Sequence, residues 1–349
     1  MPDPRPALLD PEASTAEILA DHELDGAAFE RRFLLSVDDF RALRGRRRFD
    51  MPLPPWLLRS HLRRYWGRDP SSLSEEVDGD RISWATVSPA GPLRVDAHLG
   101  VDRVAVEAHG GDASCRDHPW LAVLAHDLVL RCLGLHLDPR PFEALCEPRL
   151  LDGRRGLTLP QTASVFDGAL WVVAGQQVSL AAAFSIRRRL TEAFGTSVAG
   201  LRCSPAAATL NAADPEALHL CGLTRRKVEY LQGLAALAEK GLNPWGLDRH
   251  DDLESWRRLD LQAAQKMLLG IRGFGAWSAG YLLMRALGYA DCVPYGDVAL
   301  QKALQLYFAT ETRPDRDGTE RLMAPFRPYR SLATFHFWAW SAEHKSSTS

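Results

Sequence analysis

Apolar residues change their spacing once along this chain, near residue 140. Between about 49 and 140 they alternate with polar ones in short runs, at 82–87, 93–99 and 101–107, separated by Pro, Gly and Asp. A period of two sends successive side chains to opposite faces, so these runs predict an antiparallel sheet with helices on one face. A helix-spaced stretch follows at 119–133, with Gly134 placed to end it. From 141 to 341 the period is almost wholly helical. The pattern therefore predicts an α+β protein: a small antiparallel-sheet N-terminal domain (49–140), then a mainly α-helical domain (141–341). Residues 1–48 are Pro- and acid-rich, then Arg-rich, with one amphipathic stretch, and read as an extension. Residues 342–349 read as a disordered tail.

Within the helical part, 268–300 carries the most chemistry. Residues 261–269 are helix-spaced, with Asp260 placed to cap their start. Gly270, Gly273 and Gly275 then supply a turn where positive φ is cheap and no side chain blocks an approaching group. A second helix is predicted from Ala276 to about 287, with Gly288 as its stop. Its first turn presents unpaired N–H groups beside a bare backbone, which is a general phosphate cradle. The spacing alone describes an ordinary αα-hairpin equally well. Trp277 and Tyr281 share one face of the second helix. Such a pair is usually core, but here it lies at the end that would meet DNA, where an extruded base could stack. Asp297 follows Pro294 and Gly296 and precedes a further helical pattern, so it reads as an N-cap worth about 1 kcal/mol. Capping does not exclude chemistry at the same carboxylate.

Gly273-Phe274-Gly275, Trp277, Ala279 and Tyr281, with Asp297 twenty residues after Trp277, resemble the helix-hairpin-helix/Gly-Pro-Asp signature of DNA glycosylases. The chain is most similar to the bacterial 3-methyladenine DNA glycosylase II family. The stretch 169–195, with Gly175 and Gln176, resembles that family's first long helix pair. Residues 214–235 fit its Asp-Pro, Gly-Leu and basic helix start, and 326–340 its closing helix. The likeness covers roughly 80–340. It implies a monofunctional glycosylase acting on double-stranded DNA with alkylated bases, in a cytoplasmic, nucleoid-associated bacterial protein; the sequence is silent on oligomeric state, and a monomer is the simpler expectation. Asp297 would be the catalytic carboxylate, and Trp277, Tyr281 and Trp338 the base pocket. DNA-backbone contacts would come from Gly270, Arg272, Gly273, Gly275 and Ala276, with Arg225 and Arg226 at a helix start. Gln176 and Gln177 would fill the gap left by the base. The resemblance also implies a structural Na⁺ or K⁺ on the carbonyls of Leu269, Ile271 and Phe274, with no cofactor required for the reaction. Two positions depart from the family: Arg272 stands where a proline is usual, and Gln177 where a leucine wedge is common.

Mechanism follows from what is present. A relative that also cleaves the backbone needs a lysine amine for a Schiff base. That lysine follows the hairpin, where this chain has Trp277, and no lysine occurs between Lys266 and Lys302. Glycosidic cleavage develops oxocarbenium character at the sugar, which an ionised Asp297 could stabilise. An alkylated purine is already cationic, so it stacks well on aromatic rings and leaves without a general acid. A non-catalytic damage-binding module and a glycosylase for oxidised or deaminated bases are the alternatives. His336, a lone histidine on an aromatic helix, reads as a core residue.

Composition sets limits. At 349 residues with 46% hydrophobic content, the chain can build two cores. Cysteines at 115, 132, 146, 203, 221 and 292 form no C-x-x-C pair, which argues against zinc ribbons and iron–sulfur clusters and for reduced, mostly buried thiols of a cytosolic protein. The first residues show no signal pattern, and the longest apolar stretch is broken by Gln176 and Gln177, so no membrane span is expected. The net charge of −2 counts against a nucleic-acid binder. Arginine runs at 41–48, 187–189 and 225–227 soften that, and only the third is placed for a phosphate contact.

Overall fold

The computed structural model describes residues 14–21, 25–239 and 261–346. Asp260, the expected helix cap, lies outside them. The first half is built on a five-stranded antiparallel sheet of order β1-β5-β4-β3-β2: β1 (Arg48–Pro52), β2 (Glu75–Asp78), β3 (Arg81–Ser88), β4 (Gly91–Leu99) and β5 (Arg103–Gly110). The three central strands are the alternating runs of the sequence. Ile82 faces Ala97 and Trp84 faces Val95 across β3 and β4, all four buried. The helix Leu121–Leu133 packs its leucines onto this row and ends at Gly134, as its spacing predicts.

Both edge strands escape the pattern, for physical reasons. β1 is short and ends in Pro52, which cannot donate to a ladder and is tolerated at an edge. β2 reads Glu-Glu-Val-Asp, a charged sequence that keeps an edge from pairing with another chain. Two further differences concern the ends. Ile18, Phe29, Phe33 and Phe40 are buried in the same core as the sheet, so helices Thr15–Asp21, Gly26–Phe33 and Val37–Arg41 belong to that core and are no loose extension. The last helix runs Arg330–Ser346, so 342–346 are helical where a disordered tail was expected, and 347–349 lie outside the described residues.

The second core is helical and gathers around Val165–Gly175, which is buried along nearly its whole length. The halves interlock. A two-stranded ribbon, Ser197–Val198 with Leu201–Arg202, lays Val198 and Cys203 on Ala85 of the sheet. Glu75 of β2 receives both Nη atoms of Arg187, at 2.9 and 2.5 Å, and Asp167 stands 3.4 Å from the same guanidinium. Burial alone would raise the Glu75 carboxyl, but Arg187 beside it brings it below the usual carboxylate range. Of the arginine run at 187–189, Arg187 is thus largely buried, whereas Arg188 and Arg189 are exposed. All six cysteines are unpaired, and five are buried. Among the described residues no helix is long and apolar enough to cross a membrane.

Candidate active site

The hairpin forms as expected: helix Leu261–Leu269, a turn, and helix Ala276–Arg285. Gly273 has φ +92°, and a Cβ there would sit 2.4–2.6 Å from ring atoms of Tyr230, so both backbone and space demand glycine. Gly273→Ala should therefore cost about 1–3 kcal/mol, read as a lowered urea midpoint; an unchanged midpoint would show that the turn tolerates the side chain. Gly275 is the exposed N-cap of the second helix and offers no side chain to its first-turn N–H groups, which begin at Ala276. Gly270 closes the first helix, its N–H shared between the carbonyls of Lys266 and Met267.

Gly280 of the second hairpin helix determines where the carboxylate goes. A Cβ at Gly280 would meet the Val293 carbonyl oxygen at 2.4 Å, so its absence lets the Val293–Pro294 backbone lie on the helix. The chain then turns through Gly296 into helix Val298–Phe308. Asp297 caps that helix, its Oδ1 accepting from the Leu300 N–H at 2.7 Å. The same oxygen accepts from the Trp338 indole at 3.0 Å, and Oδ2 accepts from the Trp277 indole at 2.9 Å. Three N–H donors and a helix N-terminus thus converge on one carboxylate. Tyr281 completes an aromatic row, its ring centroid 5.4 Å from Trp277 and 6.2 Å from Trp338, with all three rings partly exposed. The four residues expected to form the pocket and the catalytic group are in one place.

Other expected residues divide. Gln176 is held within the protein: its amide donates to the Gly273 carbonyl at 2.8 Å and to Ser278 Oγ at 3.2 Å, tying helix Val165–Gly175 to the hairpin. Gln177 is exposed, with φ +55°, and Val178 and Leu180 beside it are exposed as well. The protruding element is therefore Gln177 with its apolar neighbours. Arg272 is exposed and pairs with Glu229 at 2.8 Å. Arg225 and Arg226 are exposed at the start of helix Arg225–Glu239, whereas Lys227 is buried and donates to the Ala174 carbonyl at 2.8 Å. His336 is fully buried, 4.8 Å from the Phe142 ring, and burial pushes its imidazole down to about 3. It is a core residue.

Sequence reasoning missed what lies behind the aromatic row. A cavity of about 40 Å³ abuts Tyr281 and is lined also by Tyr65, Trp171, Arg187 and Arg285. A signal existed for one of them. Trp277, Tyr281 and Arg285 are spaced i, i+4, i+8, so Arg285 continues the face that carries the aromatic pair.

Residues 170–328 match the HhH-GPD superfamily of base excision DNA repair proteins. The matched stretch lies within the helical half of the chain. A DNA-3-methyladenine glycosylase of Bacillus subtilis is 31% identical over 187 residues, 52% of this chain and 59% of that protein. DNA-3-methyladenine glycosylase 2 of Escherichia coli is 27% identical over 210 residues, 57% of this chain and 68% of that protein. The chain thus spans less than two thirds of the length of the Bacillus relative. In three dimensions, a 3-methyladenine DNA-glycosylase from Archaeoglobus fulgidus superposes with a TM-score of 0.70 at 19% identity, covering 84% of this chain and 98% of that one. The sheet domain is included in that likeness of fold, since the superposed part exceeds the helical half.

Proposed function

We propose that this protein is a monofunctional DNA glycosylase that releases alkylated purines from double-stranded DNA. The carrying observation is the Asp297 carboxylate held between the indoles of Trp277 and Trp338. A cap needs one oxygen, on Leu300; here the second oxygen is also fixed, by an aromatic ring that borders the base-sized row. A damage binder without chemistry has no use for a carboxylate so placed, facing an anionic polymer. The names borne by the Bacillus and Escherichia relatives support the same substrate class.

The hairpin backbone from Gly270 to Ala276 would hold a phosphate, with Arg225 and Arg226 adding exposed positive charge. Gln177, with Val178, would occupy the space vacated by the extruded base. Trp277, Tyr281 and Trp338 would stack on that base, and a cationic purine would gain about 0.5–2 kcal/mol per ring. Asp297 then faces the sugar as positive charge develops there. Three of its roughly four acceptor positions are already taken, which favours electrostatic stabilisation over proton abstraction from water. The reading as monofunctional is supported by Trp277, which stands where the lysine of a lyase would be needed, and by Lys227, which is buried on a carbonyl. A monovalent cation on the hairpin carbonyls is part of the same reading; the Ile271 oxygen accepts one N–H, from Phe274 at 3.0 Å, and keeps a second lone pair for the ion. With Leu269 and Phe274 it would hold Na⁺ or K⁺ and add positive charge beside the phosphate.

The test is incubation with methylated duplex DNA. Free 3-methyladenine and 7-methylguanine should appear by chromatography, with strand breaks only after hot alkali. Breaks without alkali would overturn the monofunctional reading, and absence of any free base would overturn the glycosylase reading.

A further inference from the structure

The cavity behind Tyr281 contains an unusual charge. Arg285 is 2% exposed, yet among the described residues no carboxylate lies within salt-bridge distance of it. One Nη atom donates to the Tyr65 hydroxyl, while Nε and the other Nη have no hydrogen-bond partner. The guanidinium lies 4.8 Å from the centre of the Tyr65 ring and 5.1 Å from that of Phe335, which supply only weak π contacts. Arg187 reaches the same cavity, and its Nε is also without a partner although its Nη atoms are paired. A buried guanidinium with free N–H groups is costly, and such donors normally have an acceptor.

We infer that Arg285, with the Arg187 Nε beside it, forms a subsite that reads a carbonyl oxygen on the extruded base. The inference rests on the glycosylase reading and narrows its substrate class. At about 40 Å³ the cavity accepts a projecting group or a few waters and not a whole purine. The ring itself would lie along the aromatic row, and Tyr281 belongs to both the row and the cavity wall. A 6-oxopurine, of the hypoxanthine or 7-methylguanine type, presents an acceptor to Arg285. A 6-aminopurine presents N–H donors to the same guanidinium N–H groups, and the carboxylates that also line the cavity, Asp69, Glu75 and Asp167, are already engaged by Ser71, Arg187 and Ser204. The aromatic row favours cationic bases of either kind, so the discrimination falls to the guanidinium. The exposed Arg68 covers the Tyr65 ring at 3.9 Å and lies 5.7 Å from that of Phe184, at the solvent side of the cavity.

Two duplexes that differ by one carbonyl test this: one with hypoxanthine, the other with unsubstituted purine at the same position. Single-turnover release is compared for wild type and Arg285→Met, so that the variant-to-wild-type ratio on each duplex cancels differences in bond lability. The expected result is at least a tenfold loss on hypoxanthine and less than a twofold change on purine. Equal losses on both would overturn the inference and make Arg285 a packing residue. In case Arg285→Met does not fold, the affinity of Asp297→Asn protein for the two duplexes gives an independent reading. Tighter binding of the hypoxanthine duplex, by tenfold or more, is expected, and equal affinity would overturn the inference. Release from methylated DNA by wild type separates the two readings. If it occurs while the two probes are treated alike, only the carbonyl subsite fails. If it does not occur, the glycosylase reading fails with it.

Discussion

Asp297→Asn should lower the single-turnover rate of base release about 10²–10³-fold while leaving duplex affinity within a few fold. The magnitude follows from charge. A carboxylate about 4 Å from a developing oxocarbenium is worth ~4 kcal/mol at an effective dielectric of ~20, and each ~1.4 kcal/mol is tenfold in rate. Asparagine keeps the shape and can still cap Leu300, so the fold should survive. It cannot keep both indoles. Each Asp297 oxygen accepts from a tryptophan N–H, and an amide has one acceptor oxygen and one donating NH₂. Whichever way it turns, one indole N–H meets another donor, a loss of about 1–3 kcal/mol that thermal melting would register. A rate within threefold of wild type would reduce Asp297 to a cap. A lost rate accompanied by lost DNA binding would point to a collapsed hairpin and not to missing charge.

The sequence made the hairpin and its carboxylate legible because their determinants are local. Glycines at fixed offsets, an aromatic pair at i and i+4, and an aspartate after Pro and Gly each act within a few residues. Even Trp338, far along the chain, was reached only through likeness to a known family, since nothing in its own neighbourhood says that it bonds to Asp297. What stayed hidden depends on contacts between distant segments. Gln176 and Gln177 are adjacent and chemically identical, yet one ties the helix to Gly273 and the other protrudes at φ +55°. Lys227 looks like the third member of a basic run, but the helix turns it toward Ala174 and away from solvent. The cavity is the extreme case. Its wall combines Tyr65 from the first half with Arg187 and Arg285 from the second, a juxtaposition that no spacing in one segment encodes. The N-terminal helices were missed for a compositional reason, since many acidic residues mask the few aromatics that are buried.

Acid should destabilise this protein well before its carboxylates titrate. His336 is fully buried, and burial, the largest cause, pushes its imidazole down from about 6.5 to about 3, with Arg154 adding repulsion. His61 is brought down to about 4 by burial and then by the charges of Arg64, Arg285 and Arg68. Both are therefore neutral in the folded protein at pH values where the unfolded chain takes up protons. The stability they contribute is complete above about pH 6.5 and is lost progressively as pH falls from there toward 4 and 3. At pH 5 the loss from His336 is about 2 kcal/mol, one and a half pKa units at ~1.36 kcal/mol each. His61, which keeps some exposure, contributes less. Against a total stability of about 5–15 kcal/mol, such a loss is large. The buried Glu75 and Asp96 carboxyls, both held below their usual range, add their own loss only at lower pH. Urea melts between pH 7.5 and 4.5 would therefore show a fall beginning near pH 6.5, and His336→Leu should remove more than half of it. A flat profile down to pH 5 would mean that both imidazoles find partners for the charged form. In the case of His61 that partner would have to outweigh three arginines, one of them the unpaired Arg285, so the profile also reports on the charge in the cavity.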